Sequence, residues 1–170
     1  MRNQNNTNRY NGLKVEKVKF GYKCNNNCYT YAINQPLDPY THDAYEDYSH
    51  CQPGVLGGLM KRDKECPHFD YTNFIKYVRR DLRDIGFKIK KSTIDEYINN
   101  DRAWKIAFCY GISDYHFYRQ NKNGTWSHKQ GPAKIITKDE SGKQIYNPKL
   151  CDRGKYMHFV GFFIIYPMDN

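Results

Sequence analysis

One cysteine and two histidines have the residue types and the placement needed for nucleophilic catalysis. Cys28 follows three asparagines in NNNCYTYAIN, a pattern that predicts a helix start, where backbone N–H groups lower the pKa of a thiol. His116 and His128 lie on either side of an Asn-Gly turn signal that predicts a hairpin. A cysteine nucleophile needs an imidazole base, which a third polar group usually holds in place. These residues predict acyl transfer, with Cys28 as nucleophile, His116 as base and His128 as orienting residue.

The simplest register of this hairpin does not bring the two histidines together. If Asn123-Gly124 forms a two-residue loop, His116 stands opposite Gly131 and His128 stands opposite Arg119. Strand twist, a bulge or a longer loop must then close the distance between the two rings.

Two aspartates and one backbone group complete the set of candidates. Asp139 is the alternative to His128, because a carboxylate also fixes the tautomer of an imidazole. Asp114 is close to His116 in sequence and is either an auxiliary group or an ordinary turn residue at the start of a strand. The backbone N–H of Cys28 is the natural first donor to the oxyanion of a tetrahedral intermediate.

A family resemblance depends on the segment from His116 to Gly131, whose sequence is HFYRQNKNGTWSHKQG. It resembles the NlpC/P60 segment in which a His begins one strand, a Gly-containing turn follows and a second His stands twelve positions after the first. The nucleophile of that family opens an earlier helix, as Cys28 does in NNNCYTYAI. The resemblance implies a papain-like fold and a Cys28–His116–His128 triad. It also implies a tyrosine as a further oxyanion donor, for which Tyr22 is the best-placed candidate.

The resemblance also implies a reaction and a substrate class. The reaction would be cleavage of peptide-type amides through a thioester, which requires neither a metal nor an organic cofactor. Wall peptides with D-glutamyl-meso-diaminopimelate links are the substrates of the family. The residues around the nucleophile are Asn-Cys-Tyr-Thr instead of the family's Asp-Cys-Ser-Gly. A protein or isopeptide substrate therefore stays open, as do transfer and deamidation in place of hydrolysis.

The first half of the chain must supply the helix that carries the nucleophile. Alternation over 13–22 predicts a strand, and the residues after Cys28 predict a helix of two turns. Residues 35–70 are rich in Pro, Asp, His and Gly, which predicts an irregular segment that shapes the cleft. A second helix is predicted from Tyr71 to a stop at Gly86. Its apolar stripe is Phe74, Ile75, Val78, Leu82 and Ile85.

The second half of the chain predicts the sheet. A strand over 87–92 is followed by a capped helical segment, STIDEYINN, over 92–100. Strands are then predicted at 104–112, on both arms of the histidine hairpin, at 133–137 and near the C-terminus. Helices first and antiparallel strands later indicate an α+β domain, with N-terminal helices packed on a C-terminal antiparallel sheet as in the papain fold.

Length and composition favour one folded domain. The 170 residues fit a single domain over 13–170, preceded by a flexible Asn-rich tail over 1–12. No apolar run reaches about 18 residues, so no transmembrane helix is predicted. The polar start argues against a secretory signal. We therefore expect a cytoplasmic protein, while a viral, phage or unconventionally exported product stays open.

The net charge of +9 supports an alternative without catalysis. A basic chain with many aromatic residues is suited to an anionic partner, of which nucleic acid is one, although its basic residues are dispersed. In this alternative the core is papain-like or is held by zinc, and the chain only binds. The candidate zinc ligands are Cys24, Cys28, His42, His50, Cys51, Cys66 and His68, whose spacing matches no familiar zinc motif.

Overall fold

The structure, a computed structural model, describes residues 26–34, 51–60, 71–131 and 133–168. In chain order its elements are α1 (Cys28–Ala32), α2 (Tyr71–Asp84), β1 (Phe87–Ser92), β2 (Trp104–Tyr110), β3 (Tyr115–Gln120), β4 (Trp126–Lys129), β5 (Ile135–Ile136) and β6 (His158–Pro167). The predicted α+β class is confirmed. The predicted tail over 1–12 and the predicted strand over 13–22 lie outside the described residues. Neither described helix has the length and the apolar character needed to cross a membrane.

Helix α1 begins where the asparagines predict. The side chain of Asn27 accepts hydrogen bonds from the backbone N–H groups of Tyr29 and Thr30, both at 3.0 Å, and the Thr30 hydroxyl accepts from the Asn27 N–H. This reciprocal capping box satisfies donors that a helix start otherwise leaves unpaired. The Asn27 amide also donates to the Cys51 carbonyl at 2.9 Å, so the cap fixes the position of a second chain segment.

Helix α2 follows the predicted apolar stripe, and its buried side chains include Phe74, Val78 and Leu82. The helix packs against β1. It ends before Gly86, whose φ of +83° is a conformation that glycine adopts without the cost of a β-carbon.

All strand pairs in the sheet are antiparallel, in the order β1-β6-β2-β3-β4-β5. Strand β2 lies inside the sheet with nearly every side chain buried, as its apolar sequence predicts. The aromatic rings of Phe74, Phe108 and Phe117 stack in the core between α2 and the sheet. Helix α1 packs on β3 and β4, so its first residue lies beside the strands that carry the two histidines.

The predicted helical segment over 92–100 is wrong, because residues 93–100 contain no helix. The reason is a buried lysine on β2. The Lys105 ammonium donates to the carbonyls of Ile94 and Glu96, both at 2.7 Å, and so takes carbonyls that a helix would use internally. The Glu96 carboxylate also pairs with Lys90 on β1 at 2.7 Å. These contacts hold the segment in an irregular conformation along the sheet.

Candidate functional site

The histidine hairpin has a longer loop than the two-residue turn of the simplest register. Gln120 pairs with Trp126, and Tyr118 pairs with His128. The five residues between the strands close with a hydrogen bond from the Asn121 N–H to the Thr125 carbonyl at 2.7 Å. His128 therefore pairs with Tyr118 and not with Arg119, a shift of one position from the register of the two-residue turn. Because side chains alternate between the faces of a strand, this shift changes which residues of β3 share a face with His128. His116 and His128 consequently share one face, as diagonal neighbours.

A hydrogen bond joins the two imidazoles, with 2.8 Å between His116 Nε2 and His128 Nδ1. His128 Nε2 lies 3.0 Å from the Lys138 carbonyl, which can only accept, so this nitrogen carries a proton. In the neutral pair, His128 Nδ1 then accepts from His116 Nε2, and His116 Nδ1 keeps its lone pair. Lys138 thus fixes the tautomer of both rings through its backbone.

Burial keeps both imidazoles neutral. His116 is 2% exposed and His128 is 3% exposed. Burial lowers the pKa of His116 well below its usual range, and the nearby His128 and Lys155 lower it further. Burial also lowers the pKa of His128, although its bond to the Lys138 carbonyl opposes the shift. The pair is therefore a poor proton acceptor at neutral pH.

The Cys28 thiol is also held in its neutral form. Cys28 is the first residue of α1 and is 8% exposed. Burial raises the pKa of its thiol to about 12, although backbone N–H groups of Phe117 and Tyr29 oppose the shift. The expectation that the helix start lowers this pKa is wrong, because desolvation outweighs the N–H dipoles of a five-residue helix.

The other predicted site residues have structural contacts. The Asp139 carboxylate accepts hydrogen bonds from the backbone N–H groups of Ser141, Lys143 and Asp152, and so holds a loop in place. The hydrogen bond of His128 goes to the Lys138 carbonyl and not to this carboxylate. The Asp114 carboxylate accepts three hydrogen bonds. The donors are the backbone N–H of Tyr115 at the start of β3, the Lys155 ammonium at 2.6 Å and the Tyr156 hydroxyl at 3.0 Å. Tyr22 lies outside the described residues.

Of the candidate zinc ligands, Cys28 and Cys51 lie within the described ranges and the others lie outside them. Inside those ranges no group of three or more His, Cys, Asp or Glu residues is placed to hold a metal ion.

Tyr156 is a neighbour of the site that the sequence did not indicate. Its ring stacks on His116 with 4.7 Å between the ring centroids and an interplanar angle of 19°. Its hydroxyl is tied to Asp114, which fixes the ring over the imidazole. With 16 tyrosines in the chain, nothing in the pattern distinguished this one.

Comparison with known proteins identifies the family. No family model and no solved structure matches the chain. The chain is 48% identical over 149 residues to insoluble matrix shell protein 1 of Ruditapes philippinarum. The alignment covers 84% of this chain and 80% of that protein. The chain belongs to the insoluble matrix shell protein 1 family.

This membership contradicts the predicted cysteine peptidase or amidase. The relative is named as a protein of an insoluble shell matrix and not as a hydrolase or thiol protease. The burial of these groups agrees with the correction, because a thiol with a pKa of about 12 supplies little thiolate and the neutral imidazoles are poor proton acceptors. Residue types and spacing suggested catalysis, but neither reveals how deeply a thiol is buried.

We expect the Cys28 thiol of this protein to resist alkylation in the native state. Relative to a free cysteine of pKa about 8.5, its thiolate fraction near neutral pH is lower by a factor of roughly three thousand. Iodoacetamide treatment followed by peptide mass spectrometry should find Cys28 unlabelled in buffer and labelled in urea. The half-buried Cys151 serves as the internal comparison. Labelling of Cys28 ahead of Cys151 in the native state would contradict this account of the site.

Proposed function

We propose that this chain is a non-catalytic structural component of an insoluble extracellular matrix, and that its basic surface holds an anionic matrix polymer. The observation that carries the proposal is the 48% identity to insoluble matrix shell protein 1 over most of both chains. An extracellular location replaces the cytoplasmic one that the sequence suggested. A peptide substrate has no place in this proposal.

A papain-like core used as a scaffold is part of this proposal. Helix α1 packs on β3 and β4, with Cys28 at its start and His116 on β3, an arrangement that agrees with the resemblance to NlpC/P60. The chain of hydrogen bonds from His116 through His128 to the Lys138 carbonyl ties three segments together. In a protein without catalysis, these groups stabilise the packing of β3, β4 and the following loop.

Helix α2 offers a basic stripe to the anionic partner. Lys76, Arg79 and Arg83 are exposed, and their spacing of three and four residues puts them on one side of the helix. This side is opposite the buried stripe that faces β1. A row of cations on a rigid helix can contact successive charges of a polyanion and release its counterions.

Replacing this stripe tests the proposal. We expect the triple variant Lys76→Gln, Arg79→Gln, Arg83→Gln to bind polyaspartate more weakly than the parent. The slope of log K against log salt should also be smaller, because three fewer cations release counterions. At the value of about 0.7–0.9 per contact known for nucleic acids, the slope falls by about 2–3. Fluorescence anisotropy with labelled polyaspartate at several salt concentrations measures both quantities.

The matched control removes the same charge elsewhere. Lys138, Lys143 and Lys149 are exposed on the loops between β5 and β6, and their triple Gln variant should keep most of the affinity. Equal losses in the two triple variants would contradict a role for the α2 stripe, and no salt-sensitive binding by the parent would contradict the function itself. Preference for duplex DNA over polyaspartate would favour nucleic acid as the partner instead.

A further inference from the structure

A large open groove lies away from the histidine pair. Its volume is about 1400 Å³, and it lies between the irregular segment 94–103, the loop of the histidine hairpin and the ends of α2 and β6. Sites for small molecules usually enclose roughly 300–1,000 Å³. The size and the openness of this groove suit a segment of a polymer.

Planar amides line much of the groove. Asn99 and Asn100 come from the irregular segment, and Gln120 and Asn121 come from the hairpin. The Asn121 amide is held by Thr125 at 3.0 Å and by Ser127 at 2.8 Å, so its orientation is fixed before a ligand arrives. The Asn100 oxygen accepts from the Arg102 N–H at 2.9 Å, so it too is held in place. Asn99 is exposed, and its amide carries donors and an acceptor together, which is the pairing that adjacent hydroxyl groups of a sugar require.

One tyrosine of the groove is placed as a stacking platform. Tyr97 lines the groove and is 84% exposed. Its neighbour Glu96 is held by the Lys105 ammonium through its carbonyl and by Lys90 through its carboxylate, both at 2.7 Å. The ring is therefore carried by backbone anchored to β1 and β2, and the apolar face of a pyranose can pack on it.

The charge of the groove differs from that of the whole chain. Its lining contains three anions and three cations, namely Asp95, Glu96, Asp101, Arg102, Lys105 and Lys122. The chain as a whole has a net charge of +9. A lining with no net charge gives little attraction to a polyanion, whereas its amides and its ring suit a neutral polyhydroxylated chain.

We propose that this groove binds a neutral polysaccharide of pyranose units, through stacking on Tyr97 and hydrogen bonds to the amides. The site is separate from the basic stripe of α2. It would allow one molecule to hold a neutral and an anionic polymer at the same time, and so to connect two components of a matrix.

The test is calorimetric titration of the full chain with cellohexaose and with hexa-N-acetylchitohexaose. We expect one or both to bind, and Tyr97→Ala to weaken that binding about five- to tenfold. The preferred hexasaccharide identifies whether glucose or N-acetylglucosamine units fit the groove. Tyr146→Ala is the matched control, because Tyr146 is 69% exposed and lies outside the groove, and it should bind as the parent does.

Two further measurements separate this inference from the proposed function. The α2 triple variant should keep its affinity for the hexasaccharide, and added salt should change that affinity little, because no counterions are released. Asn99→Ala, at an exposed position of the groove, should also weaken binding. If the parent binds neither hexasaccharide, or if Tyr97→Ala and Tyr146→Ala lose affinity equally, the groove is not a polysaccharide site, whatever the result with polyaspartate.

Discussion

Asp81→Ala is expected to lower the free energy of unfolding by about 3–5 kcal/mol. The Asp81 carboxylate is fully buried on α2 and accepts three hydrogen bonds. The donors are the Gly54 N–H at 2.7 Å, the Gly57 N–H at 2.6 Å and the Tyr29 hydroxyl at 2.5 Å. Alanine leaves all three donors buried without this acceptor, which costs their full desolvation penalty. Urea unfolding at neutral pH, followed by circular dichroism, measures the loss.

Asp84→Ala is the matched control on the same helix. Asp84 is exposed and lies 3.7 Å from Arg80, so its removal should change stability by no more than about 0.5 kcal/mol. If Asp81→Ala does not fold, Tyr29→Phe removes a single donor and should cost about 1–2 kcal/mol. The role given to Asp81 would be refuted if its alanine variant, or Tyr29→Phe, matched the stability of the parent.

Asp81 joins three segments that are distant in sequence. It connects α1, through Tyr29, and the loop over 51–60 to α2. Gly57 can approach because a β-carbon there would lie 2.4 Å from the Arg80 side chain and 2.9 Å from its carbonyl carbon. The Cys51 carbonyl of the same loop accepts a hydrogen bond from the Asn27 side-chain amide. The cap that starts α1 is therefore part of the same polar network as the buried acid.

The elements that the sequence predicted correctly are those with local causes. The asparagine cap of α1 depends on residues at most three positions apart. The stripe of α2 follows from helical periodicity, and its end follows from Gly86. The apolar run of β2, with a charged residue before it and Gly and Ser after it, predicted a buried strand. Local propensity and tertiary packing agree in these segments.

The errors come from contacts between residues distant in sequence. The segment STIDEYINN has a helix signature, but Lys105 takes its carbonyls, and nothing local predicts that a lysine inside a strand is buried. Lys129 is also buried, with its ammonium 2.5 Å from the Asn26 side chain. Asp81, seven residues after Phe74 and three after Val78, lies on the buried side of α2, where donors from two other segments satisfy its carboxylate. Tertiary partners reversed the usual preference of these charged side chains for water.

The structure brings the two histidines together, but the sequence did not predict their protonation state or the burial around them. The spacing of His116 and His128 suggested that they interact, and their geometry depends on a loop three residues longer than the simplest turn. Whether Cys28 is reactive depends on how deeply its thiol is buried, and this follows from the packing of α1 against β3. Residue types and spacing are the same for a catalytic triad and for a buried polar cluster.

The buried histidine pair predicts that the fold loses stability in mild acid. In the unfolded chain both imidazoles have a pKa near 6.5, whereas burial lowers the pKa of each in the folded protein. Below about pH 6.5 the unfolded state therefore binds more protons than the folded state, and stability falls as the pH falls. For each histidine that stays neutral the slope is about 1.4 kcal/mol per pH unit, or about 2.7 kcal/mol for the pair. Urea unfolding at half-unit steps from pH 7.5 to pH 5 measures this slope.

His128→Gln separates the pair from the other titrating groups. It removes one imidazole, so the slope between pH 6.5 and pH 5 should fall by about half. His158→Gln is the matched substitution outside the pair, because it removes an exposed imidazole at the start of β6 and leaves both buried rings in place. Burial raises the pKa of Asp81, so this group acts with the opposite sign, stabilising the fold when it binds a proton at lower pH. Equal slopes in the parent and in His128→Gln would show that the imidazoles accept protons inside the fold, because the contribution of Asp81 is the same in both proteins, and the neutral, tautomer-locked pair would have to be abandoned.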